Sequence, residues 1–232
     1  MKRISSIALL ILALSAFATA ARAEGSYAGF RGGLVNASFA DDEFDHYPWA
    51  RTGFTGGGFI GKDVSKMFGF RIDAMYTQKG AYGPEPFVEL DYLESHTDPG
   101  VNWGITQIKL DYLEVSPLLV ARFALGDRFS IRGFLGPTLG FWVSAEAEDV
   151  ILADGKEYRL DVDLGEIVEH FEFGGTIGVE FNAQVGPYIG LLEARYGRGG
   201  RVFEGQTLLD ADLNLDVSNK TMAVLAGLMI PF

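Results

Sequence analysis

Three histidines, at positions 46, 96 and 170, are the side chains best suited to acid–base chemistry near neutral pH. A hydrolase or an acyltransferase would place such a histidine within hydrogen-bond reach of a nucleophile or an acid. His170 follows Glu169 directly and lies two residues before Glu172, whereas His46 and His96 fall in polar linking segments. Because no nucleophile motif accompanies His170, we expect no catalytic residues and no enzyme.

Metal and cofactor sites find little support in the sequence. The chain has no cysteine, which excludes thiolate ligands, thiol nucleophiles and disulfides. The stretch Asp210-Ala-Asp-Leu-Asn-Leu-Asp216 begins like a calcium loop, but Leu215 and Thr221 stand where that loop has its glycine and its bidentate glutamate. The glycines at 56–58 precede no Lys-Ser or Lys-Thr pair of a phosphate loop. We therefore expect no metal and no cofactor.

Charged side chains recur instead at alternate positions of apolar segments. Arg71 and Asp73 alternate with Phe68, Phe70 and Ile72, and two glutamates alternate with phenylalanines between 171 and 182. A period of two indicates a strand whose two faces differ. Since buried charges must pair, we expect the polar faces to form a ladder of arginine–carboxylate pairs. Its members are Arg31, Arg71, Asp73, Glu114, Arg132, Glu172, Glu180, Glu193 and Arg195.

Eight such segments predict an all-β chain. They cover about 26–39, 51–62, 67–79, 106–123, 129–145, 168–182, 185–198 and 220–232. The links at 40–50, 80–105, 146–167 and 199–219 are long and polar, and short turns at 63–66, 124–128 and 183–184 alternate with them. Outer-membrane barrels have short turns on the periplasmic side and long loops outside. We predict an eight-stranded antiparallel up-and-down transmembrane β-barrel.

The two ends of the chain agree with export to a Gram-negative outer membrane. Lys2 and Arg3 precede an apolar stretch at 7–17, and Ala21-Arg22-Ala23 fits a cleavage site. We interpret residues 1–23 as a Sec signal peptide and 24–232 as the barrel domain. The last stretch, 220–232, is apolar after Lys220 and ends on Phe232, so it resembles the closing strand of an outer-membrane barrel, in which the final phenylalanine belongs to the assembly signal.

The lumen of an eight-stranded barrel is just wide enough for side chains to fill, so we expect the charge ladder to plug it and the apolar faces to lie against lipid. A soluble periplasmic lipocalin-like barrel would turn its aromatic face inward, which leaves a second interpretation open. Aromatic residues near the strand ends favour lipid, because aromatic girdles mark membrane interfaces. They are Phe68, Phe123, Phe129, Phe181 and Phe232 near the short turns, and Tyr76, Trp103, Trp142, Phe171 and Tyr196 near the long links.

Charge restricts the partners. Without Lys2, Arg3 and Arg22, 16 of the 19 basic residues remain against 31 acidic ones, a net charge of −15. This balance argues against nucleic acid. The acidic long loops favour a structural or adhesive role. We expect a monomer whose partners are outer-membrane lipid, lipopolysaccharide and, through the C-terminal strand, the barrel-assembly machinery. A narrow channel, a lipid-modifying outer-membrane enzyme and the soluble binder are the alternatives.

One internal strand resembles a known family. The stretch Asp111-Tyr-Leu-Glu-Val-Ser-Pro-Leu-Leu-Val-Ala-Arg-Phe123 is similar to the Tyr-Leu-Glu-Ile-Pro-Leu-Leu-Leu strand of the PorT-like "porin family" outer-membrane β-barrel domains. Stretches at 29–33, 75–80, 133–140 and 193–196 support the resemblance. It implies an outer-membrane barrel and supplies no catalytic residues. Ser116 is inserted before the proline, which predicts a β-bulge there.

Overall fold

The computed structural model of the protein describes residues 25–40, 49–83, 101–153, 156–165, 168, 170–201 and 218–232. Nine β-strands make up most of these residues. They are β1 Ser26–Ala40, β2 Trp49–Asp63, β3 Phe68–Gly83, β4 Val101–Ala124, β5 Phe129–Ala153, β6 Lys156–Asp163, β7 Phe171–Val185, β8 Tyr188–Arg201 and β9 Ser218–Pro231. The predicted signal peptide, His46, His96 and the 210–216 stretch lie outside the described residues. Within the described ranges, no helix has the length and apolarity needed to cross a membrane.

Eight of the strands close into an antiparallel barrel. The order is β4-β3-β2-β1-β9-β8-β7-β5, and pairing between β4 and β5 completes the ring. The first and last strands meet over their full length, from Tyr27 opposite Pro231 to Ala40 opposite Ser218. Each neighbouring pair along the chain is antiparallel. The predicted eight-stranded up-and-down barrel is confirmed.

The ninth strand corrects the prediction of a long loop at 146–167. β5 continues to Ala153 and turns back into β6, which pairs with it from Glu146 opposite Asp163 to Ala153 opposite Lys156. β4 begins at Val101, beside this hairpin, so β4, β5 and β6 extend beyond the barrel on the long-loop side. The acidic residues here alternate with Ala145 and Ala147, which are buried. A strand with one solvated face tolerates acidic side chains on that face. The many acidic residues of this segment are therefore compatible with a strand and did not indicate a loop.

The short turns lie on the opposite side of the barrel. Two of them fall at 64–67 and 125–128, close to their predicted positions. The third is displaced from 183–184 to Gly186 and Pro187, because β7 extends to Val185. Gly186 has a φ of 62°, a left-handed conformation that glycine adopts without steric cost, and the ring of Pro187 restricts its own φ. Turn chemistry therefore ends the strand there.

The apolar faces point away from the lumen. Phe70 and Val224 are 55% and 59% exposed, whereas Arg71 and Asp73, which alternate with Phe70, are 1% and 0% exposed. Continuous exposed apolar surface of this kind requires a lipid environment. The interpretation as a soluble barrel with an aromatic interior is therefore wrong. The five aromatic residues expected near the short turns are all exposed: Phe68, Phe123, Phe129, Phe181 and Phe232.

The β-bulge predicted at Ser116 is not there; the nearest register shift lies in the β4–β5 pair. Ser116 pairs with Asp73 in an unbroken β3–β4 register. The β4–β5 register shifts instead between Asp111 and Tyr112, and Val143 is the extra residue. Beyond Val143 the buried residues are Ala145 and Ala147, so the bulge exchanges the faces of β5 only from there on. Trp142 precedes the bulge and shares the inward face with Arg132 and Phe134, so it packs inside the outer mouth and is not part of a lipid-facing girdle as predicted. The side chain of Trp103 lies outside the described residues.

Candidate functional site

The lumen is the candidate site, because charged side chains from seven of the barrel strands converge there. Six cations and six carboxylates face inward and are largely buried among the described residues, so their formal charges cancel. They are Arg31, Arg51, Arg71, Lys79, Arg132 and Arg195, and Asp63, Asp73, Glu114, Glu172, Glu180 and Glu193. They are arranged in three layers, which we call the inner, central and outer layers from the short-turn side to the long-loop side. Arg51 belongs to the outer layer, where its Nη1 donates to the Lys79 backbone carbonyl at 2.5 Å.

Asp73 on β3 is the hub of the central layer. Its carboxylate accepts hydrogen bonds from Arg31 on β1 and, at 2.7 Å, from Nη2 of Arg195 on β8. Nε of Arg71 lies 2.9 Å from the other carboxylate oxygen. The side chains of Arg31, Arg71 and Asp73 have no exposed surface. A single carboxylate therefore contacts three guanidinium groups away from water.

Two glutamates complete the central layer from the opposite wall. Nη1 of Arg71 lies 2.6 Å from Glu180 on β7, and its Nη2 lies 3.3 Å from Glu193 on β8. Glu193 also contacts Nη1 of Arg31 at 3.0 Å and Nε of Arg195 at 2.8 Å. Three arginines thus meet three carboxylates in one network, and the layer is neutral. Such mutual pairing offsets the large cost of removing charges from water.

Two phenylalanine rings sandwich the guanidinium groups. The Arg31 guanidinium lies 4.8 Å from the centroid of Phe59, and that of Arg71 lies 4.5 Å from the centroid of Phe134. Arg195 also approaches Phe134, at 5.3 Å. Cation–π contacts are strongest when the cation is desolvated, as it is here. These two buried rings pack in the lumen beside the ion pairs.

The outer layer is built around Lys79. Its Nζ lies 2.8 Å from Glu114 on β4 and 2.9 Å from Glu172 on β7, and it sits 4.5 Å above the ring of Tyr112. Asn219 donates to the second oxygen of Glu172 at 2.8 Å. The predicted ladder omitted Lys79, although it continues the inward alternation of Arg71 and Asp73 along β3. The outer layer therefore links β3 and β4 to β7 and β9 across the lumen.

The inner layer lies near the short turns. Nη2 of Arg132 lies 3.2 Å from Asp63, and its guanidinium is 4.3 Å from the ring centroid of Tyr27. Arg122 reaches the same carboxylate at 3.5 Å but is 42% exposed at the rim. Asp63 falls in the turn predicted at 63–66, but β2 extends to it and turns its side chain towards Arg132, a pair that the predicted ladder does not contain. Arg132 is thus separate from the central network that contains most of the predicted ladder.

Apolar side chains cover the lumen above the outer layer. Leu164 and Val168, which follow β6, are 1% exposed and pack against Ile108 and Leu110 of β4. The Leu164 backbone NH donates to the Ala145 carbonyl at 2.9 Å, which ties this segment to the barrel wall. We call this group the mouth cluster; it also contains Ala81, Tyr112, Ala145 and Ala147. Apart from the Tyr112 hydroxyl, the side chains of this cluster are apolar and offer no ligand to an ion at the outer end of the lumen.

A small cavity remains beside the outer layer, with a volume of about 30 Å³, enough for one or two water molecules. Glu114, Glu172 and the glycine-rich parts of β7 and β8 line it. A methyl group added at Gly199 would lie 1.6 Å from an oxygen of Glu172, so this glycine makes room for the carboxylate. The cavity is a polar pocket beside the outer layer.

Of the residues considered for catalysis and metal binding, the structure describes His170, and it has no nucleophile or acid beside it among the described residues. The exposed His170 ring packs against Trp142, with 5.1 Å between the centroids. Glu172, its neighbour in sequence, turns into the lumen and binds Lys79 and Asn219. In the described part of the chain, no group of three or more His, Asp or Glu side chains could hold a metal ion.

Known proteins share this architecture. A family model described as "Outer membrane protein beta-barrel domain" matches residues 6–218. A search of curated proteins gives no significant match.

Solved structures similar to the chain include three bacterial proteins. Ail, the attachment invasion locus protein of Yersinia pestis, is 15% identical, with 90% of this chain and 100% of that chain covered and a TM-score of 0.40. Neisserial surface protein A is also 15% identical, with coverages of 90% and 98% and a TM-score of 0.41. OprG from Pseudomonas aeruginosa is 10% identical, with coverages of 90% and 96% and a TM-score of 0.46.

The family match spans most of the chain, and its description agrees with the closed barrel and its outward apolar faces. The chain belongs to the outer-membrane protein β-barrel domain family and is an outer-membrane β-barrel protein of the Gram-negative type.

Proposed function

We propose that this protein is a plugged barrel with a structural or adhesive role, which presents an extracellular surface and does not conduct solutes. The observation that supports this proposal most strongly is the neutral, three-layered network of ion pairs in the lumen, with the mouth cluster above it. An ion could pass only if buried pairs separated, and leaving a buried charge without its partner costs about 3–5 kcal/mol. The network therefore favours a closed state.

The β4–β5–β6 extension supports the second half of this proposal. On its outer side Glu148 binds Lys109 and, at 3.2 Å, Arg159 of β6. Nearby, the Tyr76 hydroxyl donates to Asp111 at 2.6 Å. Hydrogen-bonded side chains thus hold a rigid polar surface above the lipid-facing band. The acidic residues of this surface would contact lipopolysaccharide through divalent cations, or a basic protein.

Planar-bilayer recordings test the plugged barrel. We expect purified, folded protein to give no stable unitary current, whereas a variant with the outer and central layers opened, Lys79→Ala with Arg71→Ala, gives flickering conductance. Stable, large currents from the wild type would refute the proposal.

The interaction role is tested separately, by binding of barrel-expressing cells to immobilised lipopolysaccharide or host matrix with and without divalent cations. Binding equal to that of cells expressing Glu148→Lys would argue against a role for this surface.

A narrow channel is the second candidate, and the polar cavity beside Glu114 and Glu172 favours it, since water there could relay ions past Lys79. If the wild type gives small currents, and if Glu172→Gln changes the ion selectivity of those currents, the narrow channel is supported over the plugged barrel.

We also propose that the protein is not an enzyme, because the His170 ring packs on Trp142 and has no nucleophile beside it among the described residues. A lipid A deacylation assay that compares wild type with His170→Ala tests this. Activity lost in the variant would identify an outer-membrane lipid-modifying enzyme.

The remaining proposals concern biogenesis. Sec export with removal of residues 1–23 would leave 24–232 as a monomeric barrel domain, related to the PorT-like porin family by its internal motifs. The assembly machinery would recognise the last strand: its apolar face is exposed, and the Phe232 backbone NH donates to the Ser26 carbonyl at 2.9 Å while its ring is 48% exposed. N-terminal sequencing of the membrane-fraction protein tests the cleavage site.

A further inference from the structure

Arg198 on β8 and Lys220 on β9 lie directly opposite each other in the β8–β9 register. Both side chains are exposed, and both belong to the outward face of the barrel. On β8 that face continues with Tyr196 and with Leu192, which is 55% exposed, while Glu193 on the other face is buried in the lumen. On β9 it continues with Met222, which is 61% exposed. The two cations therefore project from the lipid-facing wall.

Like charges placed directly opposite in an antiparallel pair repel each other, because their Cβ atoms are only about 4.5–5.5 Å apart. In the described part of the chain, neither Arg198 nor Lys220 has a carboxylate partner. The flanking outward positions on the adjacent strands are Gly175, opposite Arg198, and Ser38, opposite Lys220. Neither flanking residue supplies a negative charge, and both are small enough to leave the cations accessible from the side.

The contrast with Lys109 shows that this arrangement is not general to the rim. Lys109 also points outward on the long-loop side, but Glu148 neutralises it, and Arg159 shares the same carboxylate. Arg198 and Lys220 thus form a doubly positive patch on a protein whose overall charge is strongly negative. We call these two side chains the rim cation pair.

The depth of the rim cation pair identifies its environment. Tyr196 and Met222 are the last large apolar residues on the outward faces of β8 and β9 before the cations. Lys220 lies ten residues from Ile230, near the other end of the same face. At a rise of about 3.3 Å per residue and a tilt of about 40°, this spacing corresponds to roughly 25 Å across the membrane, the height of a barrel's apolar band. The pair therefore lies at the outer interface, at the level of the lipid headgroups.

From this geometry we propose that the rim cation pair binds the phosphate groups of lipid A, the glycolipid anchor of lipopolysaccharide in the outer leaflet. A phosphate between the two side chains would remove their repulsion, and arginine and lysine are the usual phosphate ligands of proteins. The acyl chains would lie on the smooth wall below, where Ala194 and Ala226 alternate with Leu192 and Val224. This inference rests on the proposed contact with outer-membrane lipid and is independent of whether the lumen conducts.

Native mass spectrometry of the full chain in detergent tests the proposal, with lipid A carrying both phosphates and the same lipid after phosphate removal as probes. We expect the wild type to bind the phosphorylated form at least tenfold more tightly. In Arg198→Gln with Lys220→Gln that preference should disappear. Lys62→Gln is the matched control, because Lys62 is also exposed and outward-facing but lies at the short-turn end of β2, where the outer leaflet does not reach.

A double variant that keeps the wild-type preference, or a wild type that binds both lipids equally, would overturn the proposal. Weak binding of both lipids by the wild type and by all variants would instead count against the general lipid contact on which it rests. Heat-modifiable migration on gels shows whether each variant is folded. In lipid A-free detergent, the double variant should unfold at the same temperature as the wild type or a higher one, since a repulsion is removed.

Discussion

The guanidinium of Arg195 on β8 donates a 2.7 Å hydrogen bond to the carboxylate of Asp73 on β3, although β2, β1 and β9 separate these strands in the sheet. Such a contact can form only across the interior of a closed barrel. It joins two residues on facing walls of the barrel that are 122 positions apart in sequence. The central layer therefore stabilises the closed ring and fills it at the same time.

Removal of the hub carboxylate tests this dual role. Asp73→Asn leaves the three guanidinium groups of Arg31, Arg71 and Arg195 with two carboxylates, so we expect unfolding in urea to require about 3–5 kcal/mol less free energy than for the wild type. Asp63→Asn is the control at the rim, where water reaches the carboxylate, and its effect should be smaller. If Asp73→Asn is as stable as the wild type, the central layer does not stabilise the ring.

A compensating change sharpens the same test. Arg195→Gln combined with Asp73→Asn restores neutrality in the central layer, and part of the lost free energy of unfolding should return. The double-mutant cycle isolates the interaction between the two side chains. Strictly additive effects of the two substitutions would show that their contact contributes little.

The two lysine–glutamate pairs of the long-loop side should differ in energy. Lys79→Met leaves Glu114 and Glu172 facing each other without a cation, with an expected loss of about 3–5 kcal/mol. Lys109→Met removes a partly exposed pair, for which about 0–1 kcal/mol is typical. Equilibrium unfolding in lipid vesicles measures both. Equal losses would mean that the lumen is solvated as well as the outer surface.

Closure between the first and last strands depends on a glycine. A Cβ at Gly33 would lie 1.9 Å from the backbone oxygen of Val224, so Gly33→Ala should force β1 and β9 apart. We expect a loss of about 1–3 kcal/mol or more and a reduced heat-modifiable fraction. Gly133→Ala is the matched control, because no atom lies within 4 Å of its added methyl group. Equal behaviour of the two variants would contradict the register of this seam.

The outward face is tested by a charge placed in it. Val224→Arg sets a guanidinium at mid-depth in the apolar band, where about 2–4 kcal/mol is the usual cost. Thr52→Arg, on the outward face near the long-loop end of β2, should cost about 0–1 kcal/mol. Unfolding from phospholipid vesicles provides the measurement. A cost at Thr52 that matches the cost at Val224 would mean that the band is not at the predicted depth.

The number of barrel strands, the closed antiparallel topology and the direction of the apolar faces were all predictable from the sequence. Period-two alternation, as in Phe68 to Asp73, depends only on local backbone geometry, and the sorting of long and short links determines how neighbouring strands pair. Two predictions made from polar residues were wrong, the loop at 146–167 and the bulge at Ser116. In both places the amino-acid composition fits more than one local structure. A half-solvated strand and a polar loop have similar residues, so the hairpin of β5 and β6 became visible only once its pairing was known.

The identity of the ion pairs was decided by the tertiary structure alone. The alternation showed that Arg71 and Asp73 share a face, but the partners Glu180 and Glu193 lie 109 and 122 residues away from Arg71. Which side chains meet depends on the stagger of all eight strands, a property of the closed ring that no single segment contains. The same holds for Arg198 and Lys220, which become neighbours only because β8 and β9 pair in one particular register.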